Sequence, residues 1–210
     1  MENGSLLRYQ GVTVTFGEKT VLEDFNLTVR GGEKVLIFGP SGKGKSTILL
    51  LAMGMVEPDA GSVYFRDAEV DSGSVWEVRR QLAYVPQNPD IGEGKVRGLI
   101  ESVFDYKANR ELTLDQGELR ELLEQFSLEQ DILEKNYQDL SGGEKQRVAI
   151  IIAVLLRRCI FLLDEPTASL DPEAKRKVMA YFLGRKDCTV VAVSHDSDWL
   201  EAEGLRSVRI

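Results

Sequence analysis

The chain has 210 residues, 43% of them hydrophobic, and a formal net charge of −8. That length allows one large domain or two small lobes sharing a core, with enough apolar residues to bury a sizeable interior. The acidic balance argues against a nucleic-acid partner, which needs a basic face to neutralise phosphates, and no apolar run is long enough to cross a bilayer.

The N-terminus, Met1-Glu2-Asn3-Gly4-Ser5, lacks a basic region followed by an apolar one, which predicts no secretory signal. The expected location is therefore the cytoplasm, with any link to a membrane made through a partner. Residues 7–16 and 21–29 alternate in the manner of strands, with Phe25, Leu27 and Val29 on one face. Gly31-Gly32 reads as a turn. Residues 34–38 form a short apolar strand, and residues 45–55, rich in Leu and Met, read as a helix.

Between that strand and helix runs Gly39-Pro40-Ser41-Gly42-Lys43-Gly44-Lys45-Ser46-Thr47. It matches G-x-x-x-x-G-K-[ST] in the strand–helix context the pattern requires. The glycines let backbone N–H groups approach phosphate oxygens, and the helix N-terminus adds its dipole. Lys45 is placed to neutralise the outer phosphates and Ser46 to ligate Mg²⁺. Lys43 stands where a small residue is expected; as part of the cofactor-binding loop it either adds positive charge near the phosphates or points to solvent, the favoured reading.

Residues 57–61 break the chain. Residues 62–66 read as a strand, 76–81 as a short helix, and 82–85 as a strand ending at Pro86-Gln87. Residues 95–135 read as helical, and Leu119, Leu122, Leu123 and Phe126 form an amphipathic stripe. Residues 90–139 hold 13 acidic and 6 basic residues, so most of the charge imbalance sits in one segment, a candidate sublobe.

Ser141-Gly142-Gly143 then opens a helix running to about Arg157, with Ser141 and Glu144 forming a capping box. Unpaired N–H groups and a hydroxyl there make a potential anion site. Residues 160–163 and 189–193 are continuous apolar runs of strand length that alternate with helices at about 142–157 and 172–184. This is the rhythm of a parallel sheet covered on both faces. Cys159 and Cys188 each open one of these runs, and both read as reduced core residues. Asp164 ends its strand where a carboxylate reaches a phosphate crevice and can hold Mg²⁺ through water. Glu165 beside it suits a general base on an attacking water.

With the stretch Leu140 to Arg147 lying between the P-loop and Asp164-Glu165, the chain resembles the ATP-binding subunit of an ABC transporter over nearly its whole length. That resemblance implies a P-loop NTPase fold of α/β class. Its expected parts are a mixed, mainly parallel sheet, an N-terminal antiparallel β subdomain and an α-helical signature subdomain. Residues 1–88 and 157–210 are then the core and β subdomain of a single domain, and residues 89–156 the helical part.

The resemblance also implies roles. Phe16 stands where relatives stack an aromatic ring on adenine, a contact worth roughly 1–3 kcal/mol; relatives usually have Tyr there. Gln87 matches the residue that touches Mg²⁺ and water and couples to the membrane subunit. Asp171, in Ser169-Leu170-Asp171, matches a loop that crosses a dimer, and His195 matches a γ-phosphate sensor. Catalysis is thus expected from Glu165, His195 and Gln87, and metal binding from Ser46, Gln87 and Asp164. ATP is expected between the P-loop of one copy and Ser141, Gly142 and Gly143 of a second copy. The remaining expected partner is a separate integral membrane permease, which would hold the chain on the inner face of the cell membrane.

Relatives often carry an Ala-Arg-Ala run that residues 151–158 lack, and the tail after His195 is short, with residues 205–210 a candidate edge strand. The small size, the Ile132-Leu133-Glu134-Lys135-Asn136 lead-in and the short tail are similar to short bacterial ATPases that serve a membrane protein implicated in metal-ion export; short importers and lipoprotein-release or cell-division ATPases share much of the same pattern. A soluble ABC-type ATPase acting in protein-complex assembly stays open beside the transport reading. The resemblance does not specify the transported substrate, which in this family is chosen by the membrane subunit.

Overall fold

The computed structural model describes residues 5–210, so the Met1–Gly4 part of the N-terminal reading lies outside the described residues. Strand β1 (Ser5–Phe16) and strand β2 (Lys19–Arg30) pair antiparallel through a tight turn. The two alternating stretches of the sequence are thus the two arms of one hairpin. After β3 (Lys34–Phe38) and helix α1 (Lys45–Ala52), strand β4 (Ala60–Phe65) returns to pair with β1, and the two-residue β5 (Ala68–Glu69) closes a four-stranded antiparallel sheet. Gly61 shows why glycine is needed there: φ is +77°, and a Cβ would lie 2.3 Å from the Gly11 carbonyl oxygen.

Helix α2 (Val75–Arg79) leads to β6 (Leu82–Val85). The acidic segment comes next as α3 (Val96–Asp105) and α4 (Gln116–Gln125), then two short 3₁₀ turns. The helical reading of 95–135 is therefore broken after Asp105. Tyr106 turns extended, and the next helix starts only where Asp115 caps it, accepting from the Gly117 and Glu118 N–H groups. Leu119, Leu122, Leu123 and Phe126 are all buried, so the stripe does face a core.

Helix α5 (Gly142–Leu155), strand β7 (Ile160–Asp164), helix α6 (Pro172–Gly184), strand β8 (Thr189–Val193), the single-turn α7 (Ser197–Leu200) and β9 (Arg206–Arg209) complete the chain. Strands β6-β7-β8-β3-β9 lie in that order, and every neighbouring pair is parallel. The expected mixed sheet is thus two sheets, one wholly parallel and one wholly antiparallel. The candidate edge strand at residues 205–210 is β9, against β3.

Strand alternation divides the core. Leu36, Phe161, Leu163, Val190 and Ala192 face one apolar cluster shared with α3–α6. Val35, Ile37, Leu162, Val191 and Val193 face another shared with α1 and the antiparallel sheet. A strand buried on both faces needs a continuous apolar run, which is why β7 and β8 show no alternation in sequence. Cys188 is buried as expected, but Cys159 is exposed. Cys159 precedes β7 rather than opening it, in the turn after α5, so the core reading of that thiol is corrected.

Candidate functional site

Parallel strands release their functional residues at their C-terminal ends. The chain leaves β3 into the P-loop, β7 ends at Asp164 with Glu165 next, and β8 ends one residue before Ser194-His195. A cavity of about 650 Å³ opens there, lined by Gly39, Pro40, Ser41, Gly42, Gly44, Lys45, Ser46 and Thr47 together with Phe16, Gln87, Glu165 and His195. Residues drawn from separate places in the chain thus meet in one cleft.

Local backbone explains the P-loop. Gly39, Gly42 and Gly44 all have φ in the left-handed region, which glycine enters without steric cost. A Cβ on Gly44 would meet the Val21 carbonyl oxygen at 2.8 Å. Lys45 is buried, and its ammonium donates to the carbonyls of Gly39 (2.9 Å) and Pro40 (3.0 Å). The cation is therefore held inside the loop's curve. Lys43 is exposed and lies outside this cavity, lining a neighbouring one instead, as its solvent reading expects.

The Ser46 hydroxyl donates to Asp164 Oδ1 at 2.9 Å, and the Tyr84 hydroxyl reaches Asp164 Oδ2 at 3.4 Å. Burial lifts the Asp164 carboxyl above its ordinary range; the Glu165 charge adds to this, while the Ser46 and Tyr84 hydroxyls and Lys45 oppose it. Burial, then Asp164, pushes Tyr84 up to about 12. Sequence reasoning missed Tyr84, because an aromatic residue in a strand carries no signal beyond packing.

A hydroxyl and a carboxylate touching at the mouth of a phosphate cradle are two hard oxygen donors, the chemistry Mg²⁺ takes in combination with substrate phosphates. No cluster of three or more His, Cys, Asp or Glu gathers among the described residues. A divalent ion here would rest on Ser46, Asp164 and the substrate's own oxygens.

Glu165 is 8% exposed and has φ of +46°. That backbone region is strained for a residue with a side chain, and such strain gathers at functional sites. Its N–H donates to the Val193 carbonyl (2.9 Å), which locks the turn, and its carboxylate Oε1 meets His195 Nδ1 at 2.8 Å. With a carboxylate as partner, Nδ1 carries the proton and Nε2 is left for a ligand. The imidazole itself is largely exposed. Phe16, at 53% exposure, is one of few large apolar side chains left in solvent. Its place on the cavity rim gives that exposure a use.

Ser141, Gly142, Gly143 and Asp171 do not line this cavity. They form a second group on the N-termini of α5 and α6. Ser141 Oγ accepts from the Glu144 N–H (3.2 Å) while the Glu144 carboxylate accepts from the Ser141 N–H (2.8 Å), completing the expected capping box. A Cβ on Gly143 would lie 2.8 Å from the Ser169 carbonyl oxygen, so the glycine lets loop 169–171 close over the turn. Asp171 caps α6 through the Glu173 and Ala174 N–H groups.

Two further residues tie these groups together. The fully buried Trp199 indole donates to Thr167 Oγ1 at 2.9 Å. Gln146, also fully buried, donates to the Pro86 carbonyl at 3.3 Å, one residue before Gln87. Only the apolar stretch around Gln146 hinted at a buried amide, and nothing marked Trp199.

Comparison with known proteins is consistent with this geometry. The family described as ABC transporter matches residues 22–168. The probable iron export ATP-binding protein FetA of Escherichia coli (strain K12) is 34% identical over 201 residues, spanning 94% of this chain and 88% of that protein. The energy-coupling factor transporter ATP-binding protein EcfA1 of Streptococcus sanguinis (strain SK36) is 35% identical, spanning 86% of this chain and 66% of its own length. Among solved structures, the dimeric post-hydrolysis state of the ATP-binding cassette MJ0796 bound to ADP and Pi superposes with a TM-score of 0.78. It is 29% identical, with 91% of this chain and 89% of that one covered.

Proposed function

The chain belongs to the ABC transporter family as its ATP-binding ATPase component, and from that premise we propose that two copies pair head to tail around two Mg²⁺-ATP to drive a separate membrane permease. The observation that supports this reading is the separation of the two groups of site residues. The P-loop edge of one copy has a cleft for a triphosphate but lacks the signature turn. That turn, a capped helix N-terminus with free backbone donors, lies off the cleft and suits the phosphates of a partner's nucleotide.

In this reading, the loop from Gly39 to Thr47, apart from the exposed Lys43, holds the phosphates and Phe16 stacks on the base. Lys45 balances the outer phosphate charge. Ser46 and Asp164 would hold Mg²⁺ with help from Gln87, and the metal would supply electrostatic stabilisation of charge developing on the phosphates. Glu165 takes the proton of the attacking water. His195 donates its Nδ1–H to Glu165 and, carrying a proton on both nitrogens, would donate its Nε2–H to the γ-phosphate. Asp171 and its loop meet the partner copy. Residues 89–156 work as the helical subdomain, and residues 1–88 with 157–210 as the core and β subdomain.

No helix among the described residues is long and apolar enough to cross a membrane. The permease, and through it a place on the cytoplasmic membrane face, belongs to the proposal. The similarity to FetA makes metal-ion export the first cargo class to test. Turnover per chain should rise with protein concentration and level off once pairs form. A specific activity unchanged on dilution to nanomolar chain would refute the paired site.

A further inference from the structure

The opposite end of the parallel sheet carries a second cavity, of about 520 Å³. It sits where β3, β7 and β8 begin, since Gly32, Ile160 and Thr189 all line it. Four arginines surround it: Arg66, Arg80, Arg157 and Arg158. The one carboxylate in the lining is Asp187, which Arg185 already grips through two N–H groups, at 3.1 and 2.6 Å.

Ion pairing among the described residues leaves two of the four arginines without a carboxylate partner. Arg157 meets Glu118 at 2.8 Å. Arg80 reaches only the exposed Glu77, at 3.8 Å. Arg158 donates to the neutral Asn109 amide oxygen at 2.6 Å. Among the described residues neither Arg66 nor Arg158 has a carboxylate within ion-pair distance. Burial, then the neighbouring Arg80 cation, holds the Arg158 guanidinium below its ordinary value. Like charges are therefore crowded at one spot of a chain whose net charge is −8.

The backbone adds an independent observation. Arg66, in the β4–β5 turn, has φ of +55°, and Arg157, just past the end of α5, has φ of +52°. Glycine or asparagine is the low-energy choice at both kinds of position. Arg66 gains there only a stacking contact over the Phe65 ring, 5.3 Å to its centroid, and Arg157 the Glu118 pair already described. A smaller cavity continues from this one, sharing Arg157, Arg158 and Asp187 and adding Arg185 and Glu118.

We propose that this edge is an anion site for a phosphate- or pyrophosphate-bearing molecule, held by Arg66, Arg80 and Arg158 and separate from the nucleotide cleft. The planar guanidinium fork matches phosphate oxygens two at a time. Several arginines around one concavity suit a ligand with more than one negative charge. Leu6 and Ile160 in the lining offer an apolar wall to the organic part. Either a free phosphorylated metabolite or a lipid headgroup presents this chemistry.

The test is a calorimetric titration of inorganic pyrophosphate into Lys45→Ala protein, whose P-loop has lost its cation. A saturable site is expected, weakened at least tenfold on adding Arg66→Gln and Arg80→Gln, two exposed side chains whose loss leaves the melting temperature unchanged. Arg158→Gln in the same background should weaken it alike. A parallel flotation assay uses phosphatidylcholine vesicles with and without phosphatidylglycerol. Arginine-dependent flotation competed by pyrophosphate assigns the site to a headgroup, and pyrophosphate binding without flotation assigns it to a free anion. Absence of both, or equal pyrophosphate affinity with and without the arginines, overturns the proposal.

Discussion

The P-loop edge and the signature turn are both helix N-termini with free backbone donors, yet one is concave and the other is not. At the P-loop, three left-handed glycines curve the chain around Lys45, and side chains from β1, β8 and the turns after β7 and β8 wall the space. At Ser141, the cap closes on itself through Glu144, and Gly143 lets loop 169–171 cover one side. The first can hold most of a triphosphate within one chain. The second can only complete a surface that something else brings. The surroundings of each glycine run make the difference: a cleft built from strand ends in one case, a capped helix facing outward in the other.

That contrast can be broken most forcefully at the concave edge. Glu165→Gln should slow ATP hydrolysis about 10²–10⁴-fold while nucleotide binding, read by calorimetry, survives; near-normal turnover would remove Glu165 from the chemistry. Lys45→Ala should weaken ATP binding about 10- to 100-fold, the scale of a lost hydrogen bond to a charged group, and unchanged affinity would discredit the P-loop assignment. At the convex turn the signature differs. Ser141→Ala should leave ATP affinity of the isolated chain intact and lower turnover, with a stability cost of about 1 kcal/mol for the lost cap. A fall in monomer affinity would mean that the two regions are one site after all.

Smaller effects sharpen the comparison. Trp199→Phe keeps most of the buried ring and removes the N–H to Thr167, a loss of about 1 kcal/mol in denaturant unfolding. The Glu144 carboxylate is held below its ordinary range by the Ser141 hydroxyl and N–H. The stabilisation linked to it is present above the ordinary glutamate range and is lost as pH falls through the depressed value. Glu144→Gln should therefore flatten the acid limb of a melting-temperature profile, the slightest effect of the set, and an unaltered limb would count against the cap's charge.

The P-loop, the capping box and the paired acids were legible in the sequence because each is a local pattern with one geometric solution. The parallel strands β7 and β8 were legible as apolar runs of the right length. What stayed hidden is tertiary. Pairing of β1 with β2 depends on a turn at Gly17-Glu18, and the break after Asp105 carries no proline to announce it. The capping pattern at Asp115 and Glu118 was the available signal for where α4 starts. Cys159 looked buried because the apolar run after it is, but burial begins one residue later. Tyr84, Gln146, Trp199 and the arginine-lined edge at Arg66 and Arg158 come from positions far apart in the chain, which no local reading brings together.

The central claim is that each ATP is enclosed by two copies, and sedimentation velocity of the Glu165→Gln protein tests it most directly. With saturating ATP and Mg²⁺ the account predicts a shift from monomer to dimer, reversed by removing nucleotide and blocked by Ser141→Arg. A sedimentation profile indifferent to nucleotide would contradict it.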